Sequence, residues 1–240
     1  MFLQYIRNII ADPHCVFCDK LLDVRANHLI CEECSTKLPF ASGRVCSICH
    51  VPLDTTYGEL ICHNCKDMKN YFIKNVSRYL YKDLVRDAIL RMKFGNSQIW
   101  ISSELGKFLS QTIKQEYDGI NFDMVIYVPL SQIKEYTRKF NQSREIAFAV
   151  SKQCGIRLMD DILIKTRNTK SQSSLSLGER KDNVKGVYKV TDQNAVIDKT
   201  ILLVDDVYTT GATLNECAKT LKKSGALAIY TSTVAITKHE

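Results

Sequence analysis

No stretch of this 240-residue sequence is apolar and uncharged for long enough to cross a membrane or to form the core of a secretory signal. The N-terminal segment comes nearest, but Arg7 interrupts it. Its Phe2, Leu3, Ile6, Ile9 and Ile10 fall on one face of a short predicted helix, read as a face docked on the protein body. A peripheral contact with the inner face of the membrane is the second reading. The expectation is a cytoplasmic protein with no transmembrane segment. The pattern G-x-x-x-x-G-K-[ST] is also missing, which excludes a P-loop nucleotide site.

What the sequence has in excess is cysteine, ten in all. Eight form four C-x-x-C pairs: Cys15 and Cys18, Cys31 and Cys34, Cys46 and Cys49, Cys62 and Cys65. Without a signal peptide these thiols point to metal rather than to disulfides. Each C-x-x-C turn aims two thiolates at one point, and two turns close a tetrahedron around zinc. The gaps of 12, 11 and 12 residues allow either sequential or crossed pairing. A shift of 31 residues lays the first four cysteines on the second four, together with Leu22 on Leu53 and Asp23 on Asp54. A unit that repeats with its own four ligands binds its own metal, so two sequential structural zinc sites are expected in residues 1–70. Each repeat reads as knuckle, strand, turn, strand, knuckle. Closed four-thiolate sites leave no open position for catalysis, and His14, His28, His50 and His63 are expected outside the coordination. Cys154 and Cys217 read as buried free thiols.

Charge is uneven. Residues 1–70 carry 7 Lys and Arg against 8 Asp and Glu, whereas residues 71–240 carry 26 against 18. Eight ionised thiols around two zinc ions lower the first segment to −5 and the chain from +7 to +3. Attraction for phosphates therefore belongs to residues 71–240, and docking is as good a role for the ribbons as nucleic-acid binding.

From residue 71 the periodicity changes. Strand patterns at 76–81, 124–128, 162–164, 200–204 and 227–236 alternate with helical ones at 83–94, 102–117, 141–153 and 213–224, the third capped near Asn141. Such alternation means a parallel sheet covered on both faces, with ligands at the carboxyl ends of its strands. Residues 201–214, ILLVDDVYTTGATL, identify the ligand class. A buried strand ends in Asp205 and Asp206, placed to accept hydrogen bonds from vicinal sugar hydroxyls and to support Mg²⁺. Thr209, Thr210, Gly211, Ala212 and Thr213 form a tight turn at a helix N-terminus, suited to a monophosphate.

This stretch resembles the phosphoribosyl pyrophosphate (PRPP) signature of type I phosphoribosyltransferases. The resemblance implies ribose contacts from Asp205 and Asp206 and 5′-phosphate contacts from residues 209–213. Thr209 replaces the acidic base usual in purine-salvage members, and Met1-Phe2-Leu3 lacks the N-terminal cysteine of the glutamine-dependent amidotransferases. Further blocks, Val128-Pro129-Leu130 with Lys134, Arg138 and Phe140-Asn141-Gln142, and Arg167 with Thr169, Gln172, Arg180 and Asn183-Val184, resemble the ComF (ComFC-type) family, as does the amphipathic stretch ending in Lys93. That resemblance implies an α/β, parallel-sheet type I phosphoribosyltransferase-like domain over 71–240 behind a double zinc ribbon over 1–70. It also implies a part in natural competence, with single-stranded DNA and other DNA-uptake proteins as partners.

Lys134, Arg138, Lys139 and Arg144 read either as a solvated charged face or as pyrophosphate ligands, because they follow a strand end where related folds bind pyrophosphate. Three uses of the pocket are weighed. In the first, pyrophosphate leaves PRPP, with Mg²⁺ and Lys134, Arg167 and Lys170 stabilising the departing charge and the 167–183 loop closing as a lid. In the second, the same pocket is a sensor or a grip for a nucleic-acid end. In the third, both domains dock in a DNA-uptake assembly.

Overall fold

The computed structural model describes residues 12–26, 28–54, 58–95, 98–168 and 183–238, so the N-terminal apolar face and most of the expected lid lie outside the described residues. The ribbons contain two short helices, α1 (Glu32–Lys37) and α2 (His63–Lys66). Then follow β1 (Asn75–Leu80), α3 (Asp83–Phe94), α4 (Ile99–Glu116), β2 (Met124–Tyr127), α5 (Gln132–Arg138), α6 (Gln142–Cys154), β3 (Leu163–Lys165), β4 (Tyr188–Val190), β5 (Thr200–Tyr208), α7 (Ala212–Lys223) and β6 (Ala228–Ile236).

The main sheet has the order β1-β6-β5-β2, and every neighbouring pair is parallel. β5 is central and buried on both faces. Its Leu202 and Val204 turn to a core built with α3, α4 and α6, while Ile201 and Leu203 turn to a core built with α7, β3 and β4. Gly106 lets α4 approach α6 closely, since a Cβ there would lie 2.7 Å from Ala149 Cβ and from the Ile146 carbonyl oxygen. Asn141 caps α6 as expected, its side chain accepting from Ser143 N and Arg144 N.

Three expectations are corrected. The strand at 162–164 does not join the main sheet. It shifts to 163–165 and pairs antiparallel with β4, because only its first residue is buried and β4 covers that face. β5 does not stop at Val204 but runs to Tyr208, held by pairing to β6 out to Tyr208↔Ile236, so both acids belong to the strand itself. In each ribbon the expected strands shrink to single bridges, His14↔Leu21 and Val45↔Pro52, and the second knuckle opens a short helix. Among the described residues each bridge closes the chain around a first knuckle, where Cys15 N donates to Lys20 O (2.8 Å) and Cys46 N to Val51 O (2.8 Å).

Among the described residues the ribbons form no separate hydrophobic core. Cys15, Val16, Phe17 and Cys34 enter the α3–α4–α6 core, whereas Cys46, Cys49, Val51 and Cys65 enter the α7 core on the other face. Between them the chain covers the free edge of β1, with Ala41 N donating to Arg78 O (2.9 Å), Leu80 N to Pro39 O (2.7 Å) and Asn75 N to Ile48 O (2.7 Å). An edge that would otherwise offer unpaired backbone groups is thereby closed.

Candidate functional site

The eight paired cysteines gather as expected from the repeat. The sulfurs of Cys15, Cys18, Cys31 and Cys34 lie within 4.8 Å of one another, and so do those of Cys46, Cys49, Cys62 and Cys65. Zinc with four thiolates at about 2.3 Å requires sulfurs about 3.8 Å apart. Cys18 and Cys31 are 3.7 Å apart and Cys49 and Cys62 3.6 Å. Backbone N–H groups support the sulfurs, from Cys31 to Cys15 (3.4 Å) and from Cys62 to Cys46 (3.3 Å). The donor sets fit two structural zinc ions, bound sequentially. Among the described residues no histidine joins either cluster. His63 is exposed, and His50 is buried with Nδ1 accepting from Ser77 N (3.3 Å).

A cleft of about 490 Å³ opens at the carboxyl ends of the strands, and Asp205 and Asp206 form its floor. Asp205 Oδ1 accepts from Ser143 Oγ (2.7 Å) and from Asp206 N (2.9 Å). Asp206 Oδ2 pairs with Lys93 Nζ (2.9 Å) and accepts from Gln142 Nε2 (3.0 Å). Gln142 in turn accepts from Arg138 Nη1 (3.1 Å). Burial, and then the charge of Asp206 beside it, push the Asp205 carboxyl up to about 7. Two acids side by side near the carboxyl end of β5 are suited to accept from sugar hydroxyls or to face a divalent cation, and a cation there would relieve their repulsion.

The phosphate-type turn sits on the other side of the floor. Gly211 has φ of +74° and caps the twelve-residue α7, while Thr210 Oγ1 accepts from Ala212 N (3.3 Å). The turn is pinned to the end of β6 by Thr237, whose N–H donates to Tyr208 O (2.9 Å) and whose hydroxyl donates to Thr209 O (3.3 Å). The N-terminal N–H groups of α7 and its dipole favour an anion here. Lys134 and Arg138 of α5 and Lys165 of β3 also line the cleft and make part of its wall cationic. Burial, then Arg138 and Lys93 nearby, hold the Lys134 ammonium below its usual range; burial, then Lys134, do the same to Lys165.

Of the residues singled out from sequence, Asp205, Asp206, Thr209, Gly211, Thr213, Lys134 and Arg138 line this cleft, and Thr210 and Ala212 build its turn. Arg167 does not line it. It is exposed on the stem of the expected lid and donates to Lys185 O (3.1 Å). Lys170 lies outside the described residues. Arg144 belongs to a charged surface pair, with Nε 2.7 Å from Asp160 Oδ1. Cys217 is buried as expected, and Cys154 is half-buried.

Sequence reasoning missed Lys93, Gln142, Ser143 and Lys165 as site residues. Asn141-Gln142-Ser143 reads superficially as a glycosylation sequon, but these residues cap α6, link Asp206 to Arg138 and bind Asp205. A polar triplet at the start of an otherwise amphipathic helix was the available signal. Lys93 was marked only by closing an amphipathic helix.

Two segments of the chain match known domain families. Residues 6–66 match the double zinc ribbon domain and residues 141–240 the phosphoribosyl transferase domain. Competence protein F of Haemophilus influenzae is 29% identical over 210 residues, covering 81% of this chain and 91% of that protein. Competence protein ComFC of Bacillus subtilis is 28% identical over 234 residues, covering 91% and 92%. The DNA utilization protein YhgH of Escherichia coli is 28% identical over 207 residues, covering 83% and 87%. With a double zinc ribbon whose two clusters brace opposite faces of a phosphoribosyltransferase-type parallel sheet, the chain is similar over most of its length to competence proteins of the ComF (ComFC) type.

Proposed function

We propose that the cleft binds PRPP together with Mg²⁺, and that the protein uses this site in the handling of single-stranded DNA during competence. One observation carries the reading: a paired-acid floor, a glycine-capped phosphate turn and a cationic wall meet in one cleft at the carboxyl ends of the strands. Asp205 and Asp206 take the ribose hydroxyls and support the metal, residues 209–213 take the 5′-phosphate, and Lys134, Arg138 and Lys165 face the pyrophosphate. Bound Mg²⁺ supplies charge neutralisation to the pyrophosphate. Relatives named for competence and DNA utilization favour the DNA role, and the excess of cations in residues 71–240 gives it a physical basis.

The test uses ligand-dependent melting of the full chain. A ligand that binds only the folded state raises the melting temperature, so Mg-PRPP is expected to stabilise the wild type. Asp205→Asn with Asp206→Asn keeps shape and hydrogen-bonding capacity and should abolish that shift. Equal stabilisation of both proteins removes the acids from the site. For the DNA role, fluorescence polarisation with a labelled single-stranded oligonucleotide should show weak, sequence-independent binding that falls steeply with salt. Salt-insensitive binding, or none, rejects it.

A further inference from the structure

The second ribbon is wired to the phosphate turn through side chains that neither zinc binding nor phosphate binding requires. Beyond Cys65, its last cysteine, the chain forms a strap over the start of α7. Asn70 Nδ2 ties the strap back to the knuckle, donating to Met68 O (3.0 Å) and Cys65 O (3.4 Å). Asn215, in the first turn of α7, then holds the strap twice: its Oδ1 accepts from Tyr71 N (2.8 Å) and its Nδ2 donates to Lys69 O (2.9 Å). The Asn215 backbone N–H itself donates to Gly211 O (2.8 Å), inside the turn. A parallel route is aromatic. Buried Phe72, one residue beyond Tyr71, meets Tyr208 edge to face with centroids 6.5 Å apart, and the Tyr208 phenol packs under Gly211. Among the described residues the first ribbon has no such link. Its knuckle is held on the opposite core by Arg91, which donates to Val16 O (2.7 Å) and Phe17 O (3.0 Å), and by Phe17 against Tyr79.

We propose that the second zinc ribbon sets the geometry of the phosphate turn, with Asn215 as the positioning residue that transmits it. The inference rests on the reading of residues 209–213 as a 5′-phosphate site. A phosphate held by several backbone N–H groups tolerates little displacement of any of them, so anchors outside the turn control its affinity. The first ribbon, docked on the other core, leaves this turn alone.

The experiment measures two fragments of PRPP on the full-length, zinc-loaded protein by calorimetry. Ribose 5-phosphate reports the turn, and Mg-pyrophosphate reports the cationic wall. Asn215→Ala is expected to weaken ribose 5-phosphate about tenfold, the scale of one lost hydrogen-bond registration. It should leave Mg-pyrophosphate affinity and a zinc content of two per chain unchanged. Arg91→Ala, which loosens the first ribbon, is expected to leave ribose 5-phosphate affinity unchanged. Unaltered ribose 5-phosphate affinity in Asn215→Ala overturns the proposal. So does equal weakening of both fragments, which would mark a general loss of structure. A wild type that binds neither fragment nor Mg-PRPP refutes the underlying site assignment instead, a result distinct from either.

Discussion

Gly211 is the position where the phosphate turn has least freedom, and Gly211→Ala is predicted to be costly for two separable reasons. Its φ of +74° lies in the left-handed region, where a side chain costs about 1–2 kcal/mol. An added Cβ would also fall against the Tyr208 hydroxyl and 2.5 Å from Tyr208 Cζ. Tyr208 cannot retreat easily, because it is buried and Phe72 packs against it. Overpacking of that kind costs about 1–3 kcal/mol, so the variant should lose about 2–5 kcal/mol in urea unfolding. Tyr208→Phe should rescue little, because Cζ remains in place. Tyr208→Leu removes the ring, and in that background Gly211→Ala should cost only the backbone share, about 1–2 kcal/mol. The double-mutant cycle would then give a coupling of about 1–3 kcal/mol. Additivity within about 0.5 kcal/mol would refute the argument that Tyr208 buttresses the turn.

Metal analysis of the purified protein should find two zinc ions per chain, and Cys15→Ser with Cys18→Ser should retain the second; loss of both would contradict sequential pairing. Lys93→Met leaves Asp206 buried beside Asp205 without its cation, so it should destabilise by about 3–5 kcal/mol in chemical denaturation, and adding Asp206→Asn should recover part of that. Lys134 and Lys165 have lowered pKa values that an anion in the cleft would raise again, so Mg-pyrophosphate binding should take up protons at alkaline pH and weaken as pH rises through the free lysine values. Calorimetry in buffers of different ionisation enthalpy measures that uptake, and its absence would separate these lysines from the anion.

What was legible in the sequence had a local pattern to carry it. C-x-x-C pairs at a 31-residue repeat fix both ligand sets, because a zinc knuckle is a local turn and the repeat tells which knuckles share a metal. ILLVDDVYTTGATL carries strand, acids, turn and helix start in fourteen residues, and the structure assembles them in that order. What was illegible depends on pairing across distance. Lys93 reaches Asp206 from a helix 113 positions earlier, and nothing in the amphipathic period of α3 marks its last basic residue as different from Arg91. β3 and β4 are each three residues long, too short for alternation to reveal whether they join the main sheet or each other. The docking of the ribbons was hidden for the same reason. Their cysteines double as core residues, a role that ligand spacing does not encode.

The charges of the cleft narrow the ligand further than its shape does. Free phosphate satisfies the turn and the cationic wall but gives the acids nothing to bind. A divalent cation alone satisfies the acids but brings no anion to Lys134, Lys165 and Arg138, and both lysines are held below their usual range by burial and neighbouring positive charge. A nucleic-acid backbone brings phosphates, yet within a strand its sugars lack the vicinal hydroxyl pair of ribose when the strand is DNA, and the acids then repel it. The proposed ligand would bring one anion to the Gly211 turn, a hydroxylated ring and a cation to Asp205 and Asp206, and a second, larger anion to the lysines. Mg-PRPP presents these groups in one molecule. The proposed single-stranded DNA, with its sparse hydroxyls, would have no use for the paired acids and would draw instead on the excess of cations in residues 71–240, so the two proposed ligands would not compete for the acids.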